Sequence, residues 1–238
     1  NREEANISGM KWFPYMKGGS FKKWFGNQEY VVNYHQKGLE LISAKLDGTT
    51  PGHRHDNPDC YFKSGIVWTL LSSKGFASRL SPGGFIFDIN GPSCFPMVGD
   101  VEGSIAILNS KLGSTLLHIL NPTIAYEVGN LAQLPIPLSV NDRLASYSKK
   151  AIEISFKSSI EDESTFDFIA PPWYGTLNDT LTEIFLRDDD LADVEKAIDE
   201  EVYRLYGISD QDRKAIESEL AQPVAEGEDA AKDAGTDY

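Results

Sequence analysis

The segment of the sequence most suggestive of chemistry alternates lysines with aromatic residues. It reads KWFPYMKGGSFKKWFGNQEYVVN from Lys11 to Asn33. Three of its lysines stand among six aromatic residues: Lys17, Lys22 and Lys23 with Trp12, Phe13, Tyr15, Phe21, Trp24 and Phe25. Cations can reach phosphate oxygens while rings pack on sugars or bases, a mixture expected of nucleic-acid surfaces. The aromatic edge of a core with solvated lysines would show the same pattern, so both interpretations stay open.

A second group of residues could in principle hold a metal ion: His53, His55, Asp56, Asp59 and Cys60. Tetrahedral zinc takes paired ligands at C-x-x-C or H-x(3–5)-H spacing, and neither spacing occurs here. The segment Gly48–Asp59 consists almost entirely of turn-forming residues, which favours a solvated loop. We therefore predict no metal site.

The motifs of a free-standing enzyme are missing. Gly18-Gly19 and Gly83-Gly84 lack the G-x-G-x-x-G spacing and the following helix that would seat a nucleotide-like cofactor. No P-loop, G-x-S-x-G or H-E-x-x-H is found. Cys94, between Pro92 and Pro96, is expected to pack as a small apolar group. We predict no catalytic residue and no cofactor within this chain.

The elements that must position these residues follow from hydrophobic periodicity and turn signals. Short β-favouring runs bounded by Gly, Pro or Asn predict strands at Glu29–Tyr34, Ile66–Leu71 and Phe85–Ile89. Apolar residues at three- and four-residue steps predict one helix over Ser104–Leu120, stopped by Pro122. Val128–Leu138 is expected to be a turn and a Pro-broken edge strand.

After Leu138 the pattern becomes helical. A helix capped by Ser139 or Asn141 would bury Leu144, Ala151, Ile152 and Phe156. Another is predicted to begin at Asp188-Asp189-Asp190 and to end at Gly207, with an apolar stripe of Leu191, Val194, Ile198, Val202 and Leu205. Ser209, with Asp212 three residues later, is expected to cap a last short helix. The segment from Pro223 onward has no periodic apolar pattern and is predicted to be disordered.

The charge is distributed unevenly over the 238 residues. Residues 1–150 hold 15 Lys+Arg and 12 Asp+Glu, whereas residues 151–238 hold 7 and 24, which gives the net −14. A mildly basic body therefore carries a strongly acidic C-terminal region. No apolar run approaches the roughly 18 residues of a membrane span. With two cysteines and no leader after Asn1, we expect a cytoplasmic protein without a signal peptide, and a piece of a longer chain.

Several runs of the sequence carry a family resemblance. KWFPYMKGGSFKKWFGNQEYVVNY (Lys11–Tyr34) and GIVWTLLSSKGFASRLSPGGFIFDINGPSCF (Gly65–Phe95) resemble, in this order, BREX-type phage-defence adenine methyltransferases of the PglX family. AILNSKLGSTLLHILNPTIAYEVGNLAQLPIP (Ala106–Pro137) is similar to the element closing target-recognition domains there, in type IIG restriction–methylation fusions and in type I specificity subunits. VEKAIDEEVYRLYGISDQDRKAIE (Val194–Glu217) resembles the helical end of type IIG and PglX-like chains.

The resemblance covers about residues 10 to 220 and implies an α+β fold. It implies a mixed-sheet target-recognition domain over 1–138, a connecting helix and irregular wrap over 139–175, C-terminal helices over 176–220, and an acidic tail over 221–238. The family's cofactor and Asn-Pro-Pro-aromatic motifs lie upstream and are missing here. Asn121-Pro122-Thr123 lacks the second proline and the aromatic residue, and we interpret it as a helix stop. The resemblance thus points to the C-terminal, DNA-recognising part of a longer enzyme.

In such enzymes the catalytic domain flips an adenine out of double-stranded DNA and methylates its N6 with S-adenosylmethionine. On residue type and position, Asn27 and Gln28 are candidates for adenine edges. The remaining candidate DNA contacts are Lys17, Lys22, Lys23, Trp24, Lys74 and Arg79. The implied partners are DNA, the missing methyltransferase domain, and other BREX proteins or a phage inhibitor, with no membrane.

A protein-interaction module is the alternative. In that case the acidic C-terminal region and the aromatic surface dock other defence subunits or an inhibitor, and DNA contact is incidental. Salt dependence separates the two, because affinity from phosphate contacts falls steeply with salt whereas an apolar docking site is far less sensitive.

Overall fold

The computed structural model describes residues 1–46, 57–96, 101–137 and 142–221. These ranges contain six strands: β1 (Trp12–Met16), β2 (Tyr30–Asn33), β3 (Gly65–Trp68), β4 (Ser78–Ser81), β5 (Ile86–Phe87) and β6 (Ser93–Cys94). They also contain eight α-helices: α1 (Arg2–Ile7), α2 (Leu39–Leu46), α3 (Val101–Asn109), α4 (Lys111–Leu120), α5 (Val128–Leu131), α6 (Asp142–Ile160), α7 (Leu177–Tyr206) and α8 (Asp210–Leu220). Two short 3-10 helices span His35–Lys37 and Pro58–Cys60. The predicted α+β class is confirmed.

The strands form two small sheets. In the first, β1 lies between β2, which is antiparallel, and β5, which is parallel, with Tyr15 opposite Ile86. In the second, β3 lies between β4 and β6, both antiparallel, with Val67 opposite Arg79. The predicted mixed pairing is therefore present in the first sheet.

Alternation along β3 distributes its side chains between two layers. Ile66 and Trp68 join the main core with Ile105 of α3 and with residues of α6 and α7. Val67 points to the other face, where it clusters with Met16 of β1 and Phe85. The second sheet is thus covered by helices on one face and by the first sheet on the other.

Helices α6 and α7 complete the main core. The α6 residues Leu144, Ala151 and Ile152 are buried, as the predicted apolar face requires, whereas Phe156 is 38% exposed. Val194, Ile198 and Val202 of α7 are buried as well, and they belong to the same cluster as Ile66 and Trp68 of β3. The C-terminal helices therefore pack directly on the sheet that the first half of the chain builds.

The single helix predicted over Ser104–Leu120 is wrong, because it is divided into α3 and α4. Ser110 is extended at the division, and its hydroxyl accepts a hydrogen bond from the Gly113 amide at 3.1 Å. Asn109 at the end of α3 is tied to the backbone of Ser78 through both amide atoms, at 2.8 and 2.9 Å. The apolar spacing continues across this break, so periodicity alone could not locate it.

The predicted start of α7 at Asp188 is also wrong. The helix begins eleven residues earlier at Leu177, where the Thr176 hydroxyl accepts from the Asp179 amide at 3.2 Å. Asp188, Asp189 and Asp190 consequently lie within the helix. Its end at Gly207 is confirmed, with a left-handed φ of 65°, and so is the Ser209 cap of α8.

The remaining differences concern short elements. Residues Val128–Leu131 form α5 and not the predicted edge strand, because the Asn130 side chain accepts from the Glu127 amide at 2.9 Å and closes a helical turn. The strand predicted over Ile66–Leu71 ends at Trp68. Leu138, the caps Ser139 and Asn141, and residues 222–238 of the predicted tail lie outside the described residues. The domain division remains a prediction.

Candidate nucleic-acid interface

Four loops meet where β1 and β3 end. The Thr69 hydroxyl donates to the Gly19 carbonyl at 3.0 Å, and the Leu70 amide donates to the Asn90 carbonyl at 3.1 Å. On the other side of the same loop, the amides of Ser72 and Tyr126 donate to the carbonyls of Ile124 and Leu70, at 3.0 and 2.7 Å. These bonds join residues 17–20, 69–74, 88–92 and 123–129 into one continuous area, which we call the loop surface.

Two glycines allow the loops to approach this closely. A β-carbon on Gly18, whose φ is +95°, would overlap the Asn90 carbonyl oxygen. A β-carbon on Gly91 would lie 2.7 Å from the Met16 carbonyl oxygen. Larger residues at either position would force the loops apart. The glycines therefore set the shape of the loop surface.

The loop surface presents two lysines whose charges are not neutralised by a carboxylate of any described residue. Lys17 is exposed, with its ammonium group 5.0 Å from the centroid of the Tyr30 ring. Lys74 is exposed in the connection between β3 and β4. Within the described ranges, no ion pair includes either residue. Both positive charges are therefore available to an anionic partner.

The same surface also presents an amide and apolar side chains. Asn90 is exposed, next to Ile89, which is 50% exposed, and across from Leu71, which is 59% exposed. The neighbouring carboxylate of Asp88 accepts from the backbone amides of Asn90 and Gly91, at 2.8 and 3.0 Å, and so fixes this turn. An amide on a rigid turn beside apolar groups has the chemistry to read the edge of a base.

A cleft of about 510 Å³ opens beside these loops. Its walls include the aromatic rings of Tyr61 and Phe87, which meet edge to face with centroids 5.3 Å apart. Asp88, Ile89 and Val128 complete the rim that borders the loop surface. The cleft thus adds an aromatic-lined recess to the edge of the loop surface, and its lining also includes the acidic residues Asp88 and Glu127.

Lys22 and Lys23 are already engaged with carboxylates. The ammonium group of Lys22 lies 3.7 Å from Asp162, and that of Lys23 lies 3.4 Å from Glu195 of α7. All four side chains are about one third exposed, so each pair is partly open to solvent. A phosphate would have to replace these partners. DNA contact by Lys22 and Lys23 remains a prediction.

Trp24 serves as a structural link between the sheet and α7. Its side chain is 1% exposed, and its indole N–H donates to the Glu195 carboxylate at 2.7 Å. Its backbone extends the second sheet, since its amide donates to Ser78 and its carbonyl accepts from Leu80. In this conformation its ring has no surface on which a base could stack.

The two amides chosen as base readers are also inside the protein. Asn27 is 2% exposed, has a left-handed φ of 58°, and donates from its side chain to the Ser20 carbonyl at 2.7 Å. Gln28 is fully buried, and neither atom of its side-chain amide has a partner among the described residues. Its backbone carbonyl accepts from the Phe166 amide at 2.7 Å. Both residues hold the loop that precedes β2, and the structure does not place them against DNA.

Arg79 is a buried cation. It points from β4 toward the first sheet, is 1% exposed, and donates to the Lys22 carbonyl and to the Thr69 hydroxyl, at 3.3 and 3.4 Å. Burial lowers the pKa of its guanidinium to about 10, which still leaves it charged at neutral pH. Arg79 therefore supports the loops behind the loop surface, and in this conformation it does not reach a phosphate.

We expect Asn27→Ala to lower the free energy of unfolding by about 2 kcal/mol, because it removes a buried hydrogen bond and because alanine tolerates a left-handed φ less well than asparagine does. Urea denaturation measures this effect. Asn90→Ala is the matched control, since it truncates an exposed amide and should leave stability nearly unchanged. If Asn27→Ala relaxed the DNA preference at full stability, Asn27 would be a base reader after all.

The remaining candidates for chemistry have structural roles or lie outside the described residues. His53, His55 and Asp56 belong to the latter, while Asp59 pairs with Arg2 at 2.7 Å. Burial raises the pKa of the Cys94 thiol to about 11, which makes it a poor nucleophile. Asn121 ends α4, and its side chain bonds within the turn that follows, as the interpretation of a helix stop requires.

The glycine pairs do not fit a cofactor such as S-adenosylmethionine. Gly18 is packed against Asn90, and residues 20–28 after it contain no helix. Gly84 leads into β5. Neither pair has the strand–turn–helix setting that such a cofactor needs. Within the described residues, no helix is long and apolar enough to cross a membrane.

Comparison with known proteins identifies relatives of this chain. It is 36% identical over 161 residues to the adenine-specific methyltransferase BrxX of Escherichia coli O9:H4 (strain HS), which covers 66% of the chain. It is 35% identical over 176 residues, or 73% of the chain, to the adenine-specific methyltransferase PglX of Lacticaseibacillus casei (strain Zhang). The chain is homologous to a segment of the PglX-type methyltransferases. The resemblance predicted from the sequence is thereby confirmed.

The homologous segment is a small part of these methyltransferases. The matched region makes up 13% of the E. coli relative and 14% of the L. casei relative. No protein-family model matches the chain.

Sequence reasoning missed the most exposed functional candidates of this PglX-type segment. Asn90 and the cleft beside it were not identified, because their position depends on bonds between loops far apart in sequence. The run Asp88-Ile89-Asn90-Gly91 did carry one usable signal, since an Asp two residues before an Asn and followed by Gly is typical of a tight turn that displays side chains.

Proposed function

We propose that this chain is the target-recognition part of a PglX-type N6-adenine DNA methyltransferase that acts in phage defence. The observation that carries the proposal is the loop surface, whose joined loops carry the exposed side chains of Lys17, Lys74 and Asn90, with neither lysine in an ion pair among the described residues. Homology to adenine-specific methyltransferases supports double-stranded DNA as the ligand. Lysines on a rigid surface suit phosphates, and an asparagine suits the N6 and N7 atoms of adenine.

The division of labour follows from the residue types. Lys17 and Lys74 fix the position of the duplex through its phosphates, without reading sequence. Asn90 reads a base edge in the major groove, and the exposed side chains of Leu71 and Ile89 suit thymine methyl groups. Lys22 and Lys23 contact the DNA only if phosphates displace the carboxylates of Asp162 and Glu195. The buried Trp24, Asn27, Gln28 and Arg79 hold this surface in shape.

Catalysis belongs to another part of the full-length enzyme in this proposal. That part binds S-adenosylmethionine and receives the flipped adenine. The enzyme acts in the cytoplasm. The described residues of this chain contribute DNA position and sequence choice, and we derive no step of methyl transfer through them.

Fluorescence anisotropy with duplex DNA over a salt series tests the proposal. We expect log affinity to fall linearly with log salt, with a slope of about −0.9 for each phosphate contacted. A duplex that contains the methylation site of the full-length enzyme should bind more tightly, at every salt concentration, than a duplex that lacks this site. If the chain binds no DNA even at low salt, or binds with an affinity that salt does not change, DNA recognition by this segment is refuted and the interaction-module alternative gains.

A further inference from the structure

A large apolar stripe on the first half of α7 has no partner among the described residues. Leu177, Leu181 and Phe185 recur every four residues and are 69%, 45% and 65% exposed. Trp173, four residues before Leu177, is 69% exposed. Together the four side chains, which we call the apolar face, display roughly 400 Å² of apolar area, a size that monomeric proteins rarely leave uncovered without function.

The apolar face is separate from the stripe that α7 buries. Val194, Ile198 and Val202 in the second half of the helix are packed in the main core. At 100° per residue, Leu177, Leu181 and Phe185 lie 60° to 140° around the helix from the direction of Ile198. Among the described residues, the first half of α7 is bonded to the segment before it through Thr180 and to α6 and its C-terminal end through Arg187. Leu177 lies only about 20° from the direction of Val202, so the exposed stripe is separated from the buried one mainly along the helix axis, where the first half of α7 extends past the main core.

Polar contacts hold the segment that carries the apolar face in place. Arg187 donates twice to the Glu161 carboxylate, at 2.6 and 3.0 Å, and this carboxylate also accepts from the Tyr174 hydroxyl at 2.8 Å. The pair is largely shielded, with side chains 11% and 16% exposed, and the Arg187 hydrogen bonds lower the pKa of Glu161. The Tyr174 amide donates to the Thr180 hydroxyl at 3.1 Å. A fixed apolar surface costs less entropy to cover than a mobile one.

Acidic side chains border the apolar face. Glu183, Asp188, Asp189 and Asp190 are exposed, and no ion pair within the described ranges includes any of them. This rim repels DNA phosphates and anionic lipid. It also disfavours a second copy of the chain, because a symmetric contact would place carboxylates against carboxylates. The segment 222–238 is itself acidic and has no apolar stripe, so it does not fit either.

We propose that the apolar face docks on the remainder of the full-length methyltransferase, at an apolar hollow with a basic rim. This inference rests on the proposed function. The length of the relatives supports it, since 86% or more of each lies outside the segment matched by this chain. A recognition module must hold a fixed position relative to the catalytic part if its DNA site is to align with the flipped adenine. A contact at α7 provides that position and leaves the loop surface free.

Hydroxyl-radical footprinting of the full-length enzyme and of this chain alone tests the docking. We expect oxidation of Trp173 and Phe185 to be about tenfold slower in the full-length enzyme, because the centre of an interface excludes water. Equal oxidation in both samples would overturn the proposal. The proposal would also be overturned if Trp173 and Phe185 of the isolated chain became protected when DNA is added or when the chain concentration is raised. DNA or a second copy of the chain would then cover the apolar face.

A double variant, Leu181→Asp with Phe185→Asp, supplies the second readout. In the full-length enzyme it should restore the oxidation of Trp173 and reduce DNA methylation, while DNA binding by the isolated chain stays unchanged. Ile7→Asp with Leu220→Asp is the matched control, since it adds the same charge at two other exposed apolar positions. Unaltered protection of Trp173 in the double variant would refute docking through this face. Failure of the isolated chain to bind DNA would refute the proposed function and leave the footprint result standing.

Discussion

Replacing both Lys17 and Lys74 by glutamate should weaken duplex binding on the order of 100-fold at moderate salt, for every DNA sequence alike. Each lysine is exposed and free of a carboxylate partner in the structure. The substitution removes two phosphate contacts and adds two charges that repel the backbone. Because phosphate contacts position the duplex without reading it, sequence preference should persist in what binding remains.

The salt dependence gives this prediction its second readout. Loss of two contacts should reduce the slope of log affinity against log salt by about 2. Lys150→Glu with Lys214→Glu is the matched control, since both lysines are exposed, lie on α6 and α8, and change the net charge equally. If the control loses as much affinity as the test variant, only overall charge matters and the loop surface is not the DNA face.

The ion pairs of Lys22 and Lys23 lead to a ranking of the lysines. Replacing these two lysines by alanine removes two positive charges, as it does at unpaired lysines. However, Lys22 and Lys23 already pair with Asp162 and Glu195, so a phosphate gains less from contacting them. We expect Lys22→Ala with Lys23→Ala to weaken DNA binding less than Lys17→Ala with Lys74→Ala.

The features that could be predicted from the sequence are those fixed by local interactions. Gly207 ends α7 and Ser209 caps α8 because a left-handed residue and a hydroxyl act on their own turn. The buried stripe around Ile198 follows from helical spacing in the same way. These features need only a few neighbouring residues, and a single sequence contains them all.

The candidate site depended on contacts between distant segments. Trp24 is buried by Glu195, which lies 171 positions further along the chain. Arg79 is enclosed by Lys22 and Thr69 across two loops, and Gln28 by the segment around Phe166. Residue type alone could not distinguish these internal polar groups from exposed ones. The aromatic and lysine-rich segment therefore combines both interpretations. Phe13, Trp24 and Phe25 are buried, as are its two amides, whereas Trp12, Phe21 and Lys17 are exposed.

The two stripes of α7 allow one substitution to be compared in opposite settings. Ile198 is 1% exposed within the main core, whereas Phe185 is 65% exposed on the same helix. We expect Ile198→Asp to lower the free energy of unfolding by about 4–5 kcal/mol or to prevent folding, because it places an unpaired charge in an apolar site beside the buried carboxyl of Asp199. Phe185→Asp, on the exposed stripe, should change the free energy by no more than about 0.5 kcal/mol.

Urea denaturation of both variants, followed by circular dichroism, measures the difference. Burial already raises the pKa of Asp199, whose carboxylate accepts from the Lys111 amide at the start of α4 at 2.8 Å. A second carboxyl one residue away would resist ionisation for the same reason, so Ile198→Asp should lose less stability at acidic pH than at neutral pH. Ile198→Asn is the control, since its side chain is polar but does not titrate. Equal losses for Ile198→Asp and Phe185→Asp would mean that α7 does not pack on the sheet, and that Trp24 and Glu195 do not join the two halves of the chain.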